Sequence, residues 1–251
     1  MSDLQQEGES FFSHLVELRN RLVRAFLAVI VVTVCLLPFA SMLYDFLAFP
    51  LMHALPEGTK MIATGVVTPF LVPVKVVLLV ALVVTLPYLL YQAWAFIAPG
   101  LYQHEKRLVL PLIVASTILF VAGMAFCYFF VFGVVFKFVY SIAPKSISVA
   151  PDIENYFNFA IGMFLAFGVA FQVPIVVIVL ARMGIVSVAK LREIRPYVIV
   201  GSFVVAAVVT PPDAVSQLLL AIPLCVLYEA GIVVAAMITP RPAEDSQYQK
   251  E

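Results

Sequence analysis

Charge is what this 251-residue chain has little of: 12% of its residues are Asp, Glu, Lys or Arg, against about 25% in an ordinary soluble domain. The remainder is mostly apolar, with 63% hydrophobic residues and a mean hydropathy of +1.07. A water-soluble fold of this length would be left with a large exposed greasy patch. The formal net charge is zero, so no basic excess points to nucleic acid. Cysteine is scarce as well. Cys35, Cys127 and Cys225 lie inside apolar runs without C-x-x-C spacing, and read as small buried hydrophobes with neither disulfide nor metal. No basic region opens the N-terminus, where Ser2 to Ser10 is polar and acidic, so no cleavable signal peptide is expected. Catalytic signatures are missing too: there is no G-x-S-x-G, no H-E-x-x-H and no phosphate-cradling glycine loop. His14, His53 and His104 fall near the interfaces, where no pair can hold a haem between spans. Neither an enzyme, nor a cofactor, nor a metal is expected.

What is present is a series of long apolar runs. A spanning helix needs ~20 mainly apolar residues to cross ~30 Å of hydrocarbon. Four runs meet that length: about Leu22–Ala40, Phe70–Ile97, Leu108–Ile142 and Tyr156–Ala181. As one helix, Tyr197 to Ile238 would reach ~63 Å, about twice the hydrocarbon thickness. Thr210-Pro211-Pro212-Asp213 interrupts it, and paired prolines end a helix. The spacing therefore predicts a hairpin, Tyr197–Val209 and Ala214–Ile238, whose first arm reaches only ~20 Å. The fold class expected is an all-α integral membrane protein of six spans, the last two a short hairpin. One polytopic domain is expected over 1–251, with an amphipathic N-terminus (1–21), the bundle (22–238) and a tail (239–251).

Orientation follows from Lys and Arg in the short loops. With the N-terminus inside, Arg19, Arg21, Arg24, Lys106, Arg107, Arg182, Lys190, Arg192, Arg195, Arg241 and Lys250 lie on the cytoplasmic side. Lys60, Lys75, Lys137 and Lys145 lie opposite, so the count is eleven against four. Both termini are expected to be cytoplasmic. The longer outer segments, Ser41 to Pro69 and Lys145 to Asn155, can carry short helices or caps. Pro87, Pro174 and Pro223 interrupt apolar runs and are read as kinks re-satisfied by neighbouring helices.

Ionisable or polar groups within the spans are few: Glu229, Gln172, and Lys75 and Lys137 towards the outer ends. Snorkelling to the surface accounts for the two lysines, and interfacial water for Glu229. No continuous polar path remains for a small solute, which weakens a secondary transporter or channel. The cytoplasmic edge is richer. Phe11, Leu15, Leu18 and Leu22 recur at helical spacing, with Glu17 and Arg21 on another face. The simplest reading of Glu17 is an i,i+4 pair with Arg21, worth ~0.2–0.5 kcal/mol. Trp94 to Tyr102 forms an aromatic belt that turns through Pro99-Gly100 into His104-Glu105-Lys106-Arg107, where Glu105 reads as a solvated loop charge.

Phe12-Ser13-His14-Leu15-Val16-Glu17-Leu18-Arg19 resembles the N-terminal motif of the TatC family, the polytopic subunit of the twin-arginine protein translocase. Trp94-Ala95-Phe96-Ile97-Ala98-Pro99-Gly100-Leu101 and His104-Glu105-Lys106-Arg107 resemble its first cytoplasmic loop. Arg195-Pro196-Tyr197, Thr210-Pro211-Pro212-Asp213 and Ser216-Gln217 resemble its fifth and sixth spans. Together these motifs cover about residues 10–240. The resemblance implies a concave bundle in the cytoplasmic (inner) membrane that receives twin-arginine signal peptides and helps move folded proteins across. It implies that Glu17 and Glu105 bind the paired arginines and that Arg19, Pro50 and Phe96 also serve signal binding. By the same resemblance Gln172, Asp213 and Gln217 serve transport and the docking of single-span partners of the TatA/TatB type, and the complex is oligomeric. At Gln172 many relatives carry a glutamate; the amide here hydrogen-bonds but cannot titrate.

Overall fold

A computed structural model describes residues 2–54, 61–97, 106–142, 150–210 and 213–238, with the backbone alone for 2–14, 51, 53, 54, 97, 106–109, 139, 140 and 142. Among these residues the chain is helical, and its single β contact is a parallel bridge between Ile62 and Asp152. The order is α1 (Ser2–Leu36), a 3-10 turn (Leu37–Phe39), α2 (Ala40–Ala54), α3 (Thr68–Ile97), α4 (Lys106–Phe126) and a π turn (Cys127–Val131). There follow α5 (Phe132–Ile142), α6 (Ile153–Ala170), α7 (Val173–Arg182), α8 (Val188–Glu193), α9 (Arg195–Val209) and α10 (Ala214–Ile238).

Among the described residues, five helical stretches are long and apolar enough to cross a membrane: Leu15–Pro50, Thr68–Phe96, Leu110–Phe138, Ile153–Arg182 and Ala214–Ile238. The sixth apolar helix, α9, has 15 residues, a reach of ~22 Å. This is the short arm expected, and the hairpin breaks where Thr210 and Asp213 flank the proline pair. The amphipathic N-terminus and the first span are one unbroken helix, α1. Leu15, Leu18 and Leu22 point outward, with Leu22 67% exposed, as side chains bound for lipid do. Pro38, which lacks a backbone donor, closes α1 in the 3-10 turn, and α2 carries the chain on. By contrast α3 runs unbroken through Pro73 and Pro87, and α10 through Pro223.

By packing, the chain divides into two compact units, Met1–Gly168 and Val169–Glu251. In the first, α1 and α2 lie along α3, which also meets α4. Val72, Val76 and Val77 of α3, Phe132 of α5, and Phe157, Met163 and Phe167 of α6 are fully buried there. Tyrosine hydroxyls in such a core need acceptors. Tyr128 Oη donates to the Phe46 carbonyl at 2.9 Å, and Tyr156 Oη donates to that of Leu47 at 3.1 Å, which ties α2 down.

The second unit is built on α7 and α10, with α8 and α9 packed beside α10. Val177, Ala181, Leu191, Tyr228, Ile232 and Ala235 form its core. Gly231 permits the close approach of α10 to α7. A Cβ there would lie 2.9 Å from Pro174 Cα and 3.1 Å from Val177 Cβ, nearer than packed carbons tolerate.

Three local expectations are corrected. Lys75 does not simply snorkel; its Nζ donates to Glu154 Oε1 at 3.1 Å and to Asn158 Oδ1 at 2.9 Å. Two opposite charges at one depth lower each other's desolvation penalty by pairing. Glu229 is not left to water alone either; its side chain stays 46% exposed, but Arg195 Nη2 donates to it at 2.6 Å. Of the cysteines, only Cys127 is fully buried; Cys35 is exposed on α1 and Cys225 is half-buried, since an apolar helix face turned to lipid shelters a thiol as well as a core does. All three are free thiols.

Candidate functional site

The polar surface expected around Glu17 lies where α1 passes the last turns of α3. Successive helical turns of α1 bring Glu17, Arg21 and Arg24 to one side, and α3 presents Tyr91 and Gln92 opposite. The Arg21 guanidinium lies between the two helices. Its Nε and Nη2 both donate to Glu17 Oε1, at 2.8 and 2.6 Å. Its Nη1 donates to Gln92 Oε1 at 3.1 Å. The i,i+4 pair foreseen for Glu17 is therefore formed, and it extends to a residue 71 positions away. The Glu17 side chain keeps 46% of its exposure while Gln92 is 7% exposed. One partner is open and the other fixed.

These residues, with Val16 and Asn20, line a cavity of about 460 Å³. A second, wholly apolar groove of about 450 Å³ begins at Leu22 and runs past Phe26 and Leu27 to Leu89. A polar cavity that carries charges of both signs is thus followed along the same two helices by an apolar groove.

The other residues implicated in signal binding divide. Arg19 is exposed on α1 and its Nη2 donates to Asn20 Oδ1 at 3.3 Å. Phe96 is half-buried on α3, four residues past Gln92 and so on the same face one turn nearer the helix end. Glu105 lies outside the described residues. Pro50 is not brought to this site. From Glu17 to the end of α1 at Leu36 is ~28 Å of helix, and Pro50 lies beyond it in α2.

In the second unit, Asp213 caps α10, its Oδ1 accepting from the Ser216 backbone N–H at 2.7 Å. Gln217, one turn on, donates from Nε2 to the Phe203 carbonyl of α9 at 3.2 Å, which clasps the hairpin near its turn. Asp213 Oδ2 and Ser216 Oγ are buried without a hydrogen bond among the described residues. Gln172 stands at the N-terminal cap of α7, two residues before Pro174. Pro174 faces Gly231, ~27 Å along α10 from Asp213. Asp213 and Gln217 form one cluster, then, and Gln172 stands apart.

A polar group that sequence reasoning missed lies at the other end of α3. Ile62 and Ile153 exchange backbone bonds across the bridge, Ile62 N–H to the Pro151 carbonyl at 3.0 Å and Ile153 N–H to the Ile62 carbonyl at 2.9 Å. Asp152 Oδ2 accepts from Thr64 Oγ1 at 2.7 Å, and Oδ1 from the Glu154 and Asn155 N–H groups at 3.0 Å. The Thr64 hydroxyl foremost, then the backbone donors, hold the Asp152 carboxyl below its ordinary range. Thr68 Oγ1 and Lys75 Nζ both donate to Glu154. The available signal was a lone lysine about one turn inside one apolar run and a glutamate two residues before the start of another. Among the described residues, no three His, Cys, Asp or Glu side chains converge as metal ligands.

The chain as a whole is similar to known proteins. Residues 13–223 match the family model of TatC, the Sec-independent protein translocase protein. The TatC protein of Haemophilus influenzae is 50% identical over 240 residues, covering 96% of this chain and 94% of that one. That of Escherichia coli K12 is 48% identical over 227 residues, covering 90% and 88%. A crystal structure of the twin-arginine translocase receptor TatC superposes with a TM-score of 0.79 at 35% identity, covering 89% of this chain and 98% of that one.

Proposed function

The chain belongs to the TatC family of Sec-independent protein translocase proteins, as a multi-pass membrane receptor subunit of twin-arginine translocation, and from that membership we propose how it engages its ligand. It receives the twin-arginine signal peptides of folded precursors through Glu17 and Glu105, with Arg19 and Phe96 beside them. It does so at the cytoplasmic face of an inner membrane, both termini cytoplasmic. Asp213 and Gln217 take part in docking single-span subunits of the TatA/TatB type. Pro50, away from Glu17 within the first unit, and Gln172, away from Asp213 within the second, act on transport through the packing of their own helices.

The observation that carries this reading is the cavity at Glu17, whose carboxylate already accepts a forked guanidinium contact from Arg21. A guanidinium offers planar paired donors that match a carboxylate, whereas an ammonium is a point charge without a fork. Exposed pairs contribute only ~0–1 kcal/mol each. The apolar groove past Leu22 therefore supports the reading by offering burial to the greasy segment that follows the arginines.

The test is site-specific crosslinking of a twin-arginine precursor from positions 17 and 105 in the full chain. Glu17→Ala and Glu105→Ala are expected to impair precursor crosslinking and export while membrane insertion stays intact. Undiminished crosslinking in the double substitution would refute the assignment. Six helices of ~10 Å diameter cannot enclose an opening for a folded domain, so the chain reconstituted alone is expected to move no substrate.

A further inference from the structure

We infer that Arg21 is an internal stand-in for an incoming arginine, so that signal binding at Glu17 is an exchange of guanidinium groups; this rests on the assignment of Glu17 to signal binding. Both Arg21 contacts fall on one carboxylate oxygen, Glu17 Oε1. The arginine has the chemistry of the ligand's own side chain and occupies the position that side chain would take. It also has somewhere to remain. Gln92 is buried, its Oε1 already accepts from Arg21 Nη1 at 3.1 Å, and that bond does not depend on Glu17. When a ligand guanidinium takes the carboxylate, Arg21 stays tethered to α3 by its third nitrogen.

The exchange sets a threshold. An exposed ion pair of this kind shifts an equilibrium by about two- to fivefold, and every ligand competing for Glu17 meets that same factor. The arginine-over-lysine ratio is untouched, because the ratio belongs to the ligand's own fork. Weak ligands such as Lys-Lys peptides are moved further from their binding range. Arg24 supplies the internal contrast. It lines the same cavity, carries the same charge and makes no bond to Glu17 among the described residues.

The experiment measures binding of a fluorescent twin-arginine signal peptide, and of its Lys-Lys variant, to the full chain in lipid nanodiscs. Arg21→Gln is expected to tighten both peptides by about two- to fivefold more than Arg24→Gln does, with the Arg/Lys ratio unchanged. Arg24→Gln removes one repelling charge without vacating the carboxylate. An Arg21→Gln gain no larger than that of Arg24→Gln, or weakened binding, overturns the exchange. A measurement on the unaltered chain guards against misfolding of the variant. The Arg21 Nε–H resonance is expected to move towards the position of an unpaired arginine as peptide saturates, and a resonance that stays put overturns the exchange. Glu17→Gln separates the two levels. Lost binding there with no gain in Arg21→Gln refutes the exchange alone, whereas undiminished binding in Glu17→Gln refutes the Glu17 assignment itself.

Discussion

Arg195 and Glu229 meet at 2.6 Å across 34 residues of sequence, joining the start of α9 to the second half of α10, yet their side chains remain 41% and 46% exposed. Beside them Tyr228 Oη donates to the Leu191 carbonyl at 2.8 Å, and Tyr228 is only 6% exposed. The neutral bond is expected to matter more than the ionic one. Exposed pairs are screened and contribute ~0–1 kcal/mol, whereas a buried carbonyl left without its donor costs ~1–3 kcal/mol. Thermal unfolding in detergent should rank Tyr228→Phe as more destabilising than Glu229→Gln, and the reverse order would show that the membrane edge screens the ion pair far less than water does.

Close approach at Gly231 gives a sharper expectation. Alanine gains about 1 kcal/mol of helix propensity over glycine, but its Cβ would sit 2.9 Å from Pro174 Cα and 3.3 Å from the Pro174 carbonyl oxygen. Backbone atoms of α7 cannot swing aside as a side chain can, so overpacking at ~1–3 kcal/mol wins. Gly231→Ala is expected to lower the unfolding temperature. Gly162→Ala, with nothing within 4 Å of its new Cβ, is the comparison and should be neutral or slightly stabilising. Equal effects at the two positions would contradict the tight α7–α10 contact.

Asp213 joins a structural duty to a proposed docking one, and two substitutions separate them. Its Oδ1 caps α10 while its Oδ2 is buried without a partner among the described residues. Asp213→Ala removes the cap and should cost ~1 kcal/mol. Asp213→Asn keeps the Oδ1 acceptor, and asparagine caps a helix about as well as aspartate, so it should unfold near the wild-type temperature. A further fall in export in Asp213→Asn, at unchanged stability, would place the negative charge itself in partner docking. If asparagine destabilises as much as alanine, the cap is not what Asp213 supplies.

How much of this was legible depended on how local the cause was. The hairpin break at Thr210 to Asp213 and the shortness of α9 follow from two prolines and the rise of a helix, and both stand as expected. The Glu17–Arg21 pair follows from i,i+4 spacing and also stands. Its third leg to Gln92 did not show, because nothing in residues 17–21 reports on a partner 71 positions away. Lys75 and Glu154 were invisible as a pair for the same reason, each on its own being indistinguishable from a snorkelling end. The π turn at Cys127–Val131 lies in a uniformly apolar, aromatic run without proline, where no local signal marks an extra residue per turn. The family motifs carried the choice of Glu17 as a ligand site, since spacing alone gave only a surface ion pair.

At the other end of α3, Asp152 makes the strap at Ile62 sensitive to acid. Its carboxyl is held below the ordinary range by the Thr64 hydroxyl first and by the Asn155, Thr64 and Glu154 backbone N–H groups. A group whose pKa is depressed in the folded state stabilises that state above its unfolded value, and the contribution is lost as pH falls through the folded one. Protonation withdraws the charge from the hydrogen bonds that fasten Thr64 and the start of α6. Amide protection at Ile62 and Ile153, which exchange the bridge bonds, is therefore expected to be flat from neutral pH down to the ordinary carboxylate range and to fall below it. Asp152→Asn retains an acceptor for the Glu154 and Asn155 N–H groups but cannot titrate, so its protection should be lower at neutral pH and level across the same range. Wild-type protection that does not change on acidification, or an Asn variant that keeps the same pH dependence, would assign the acid response to another group.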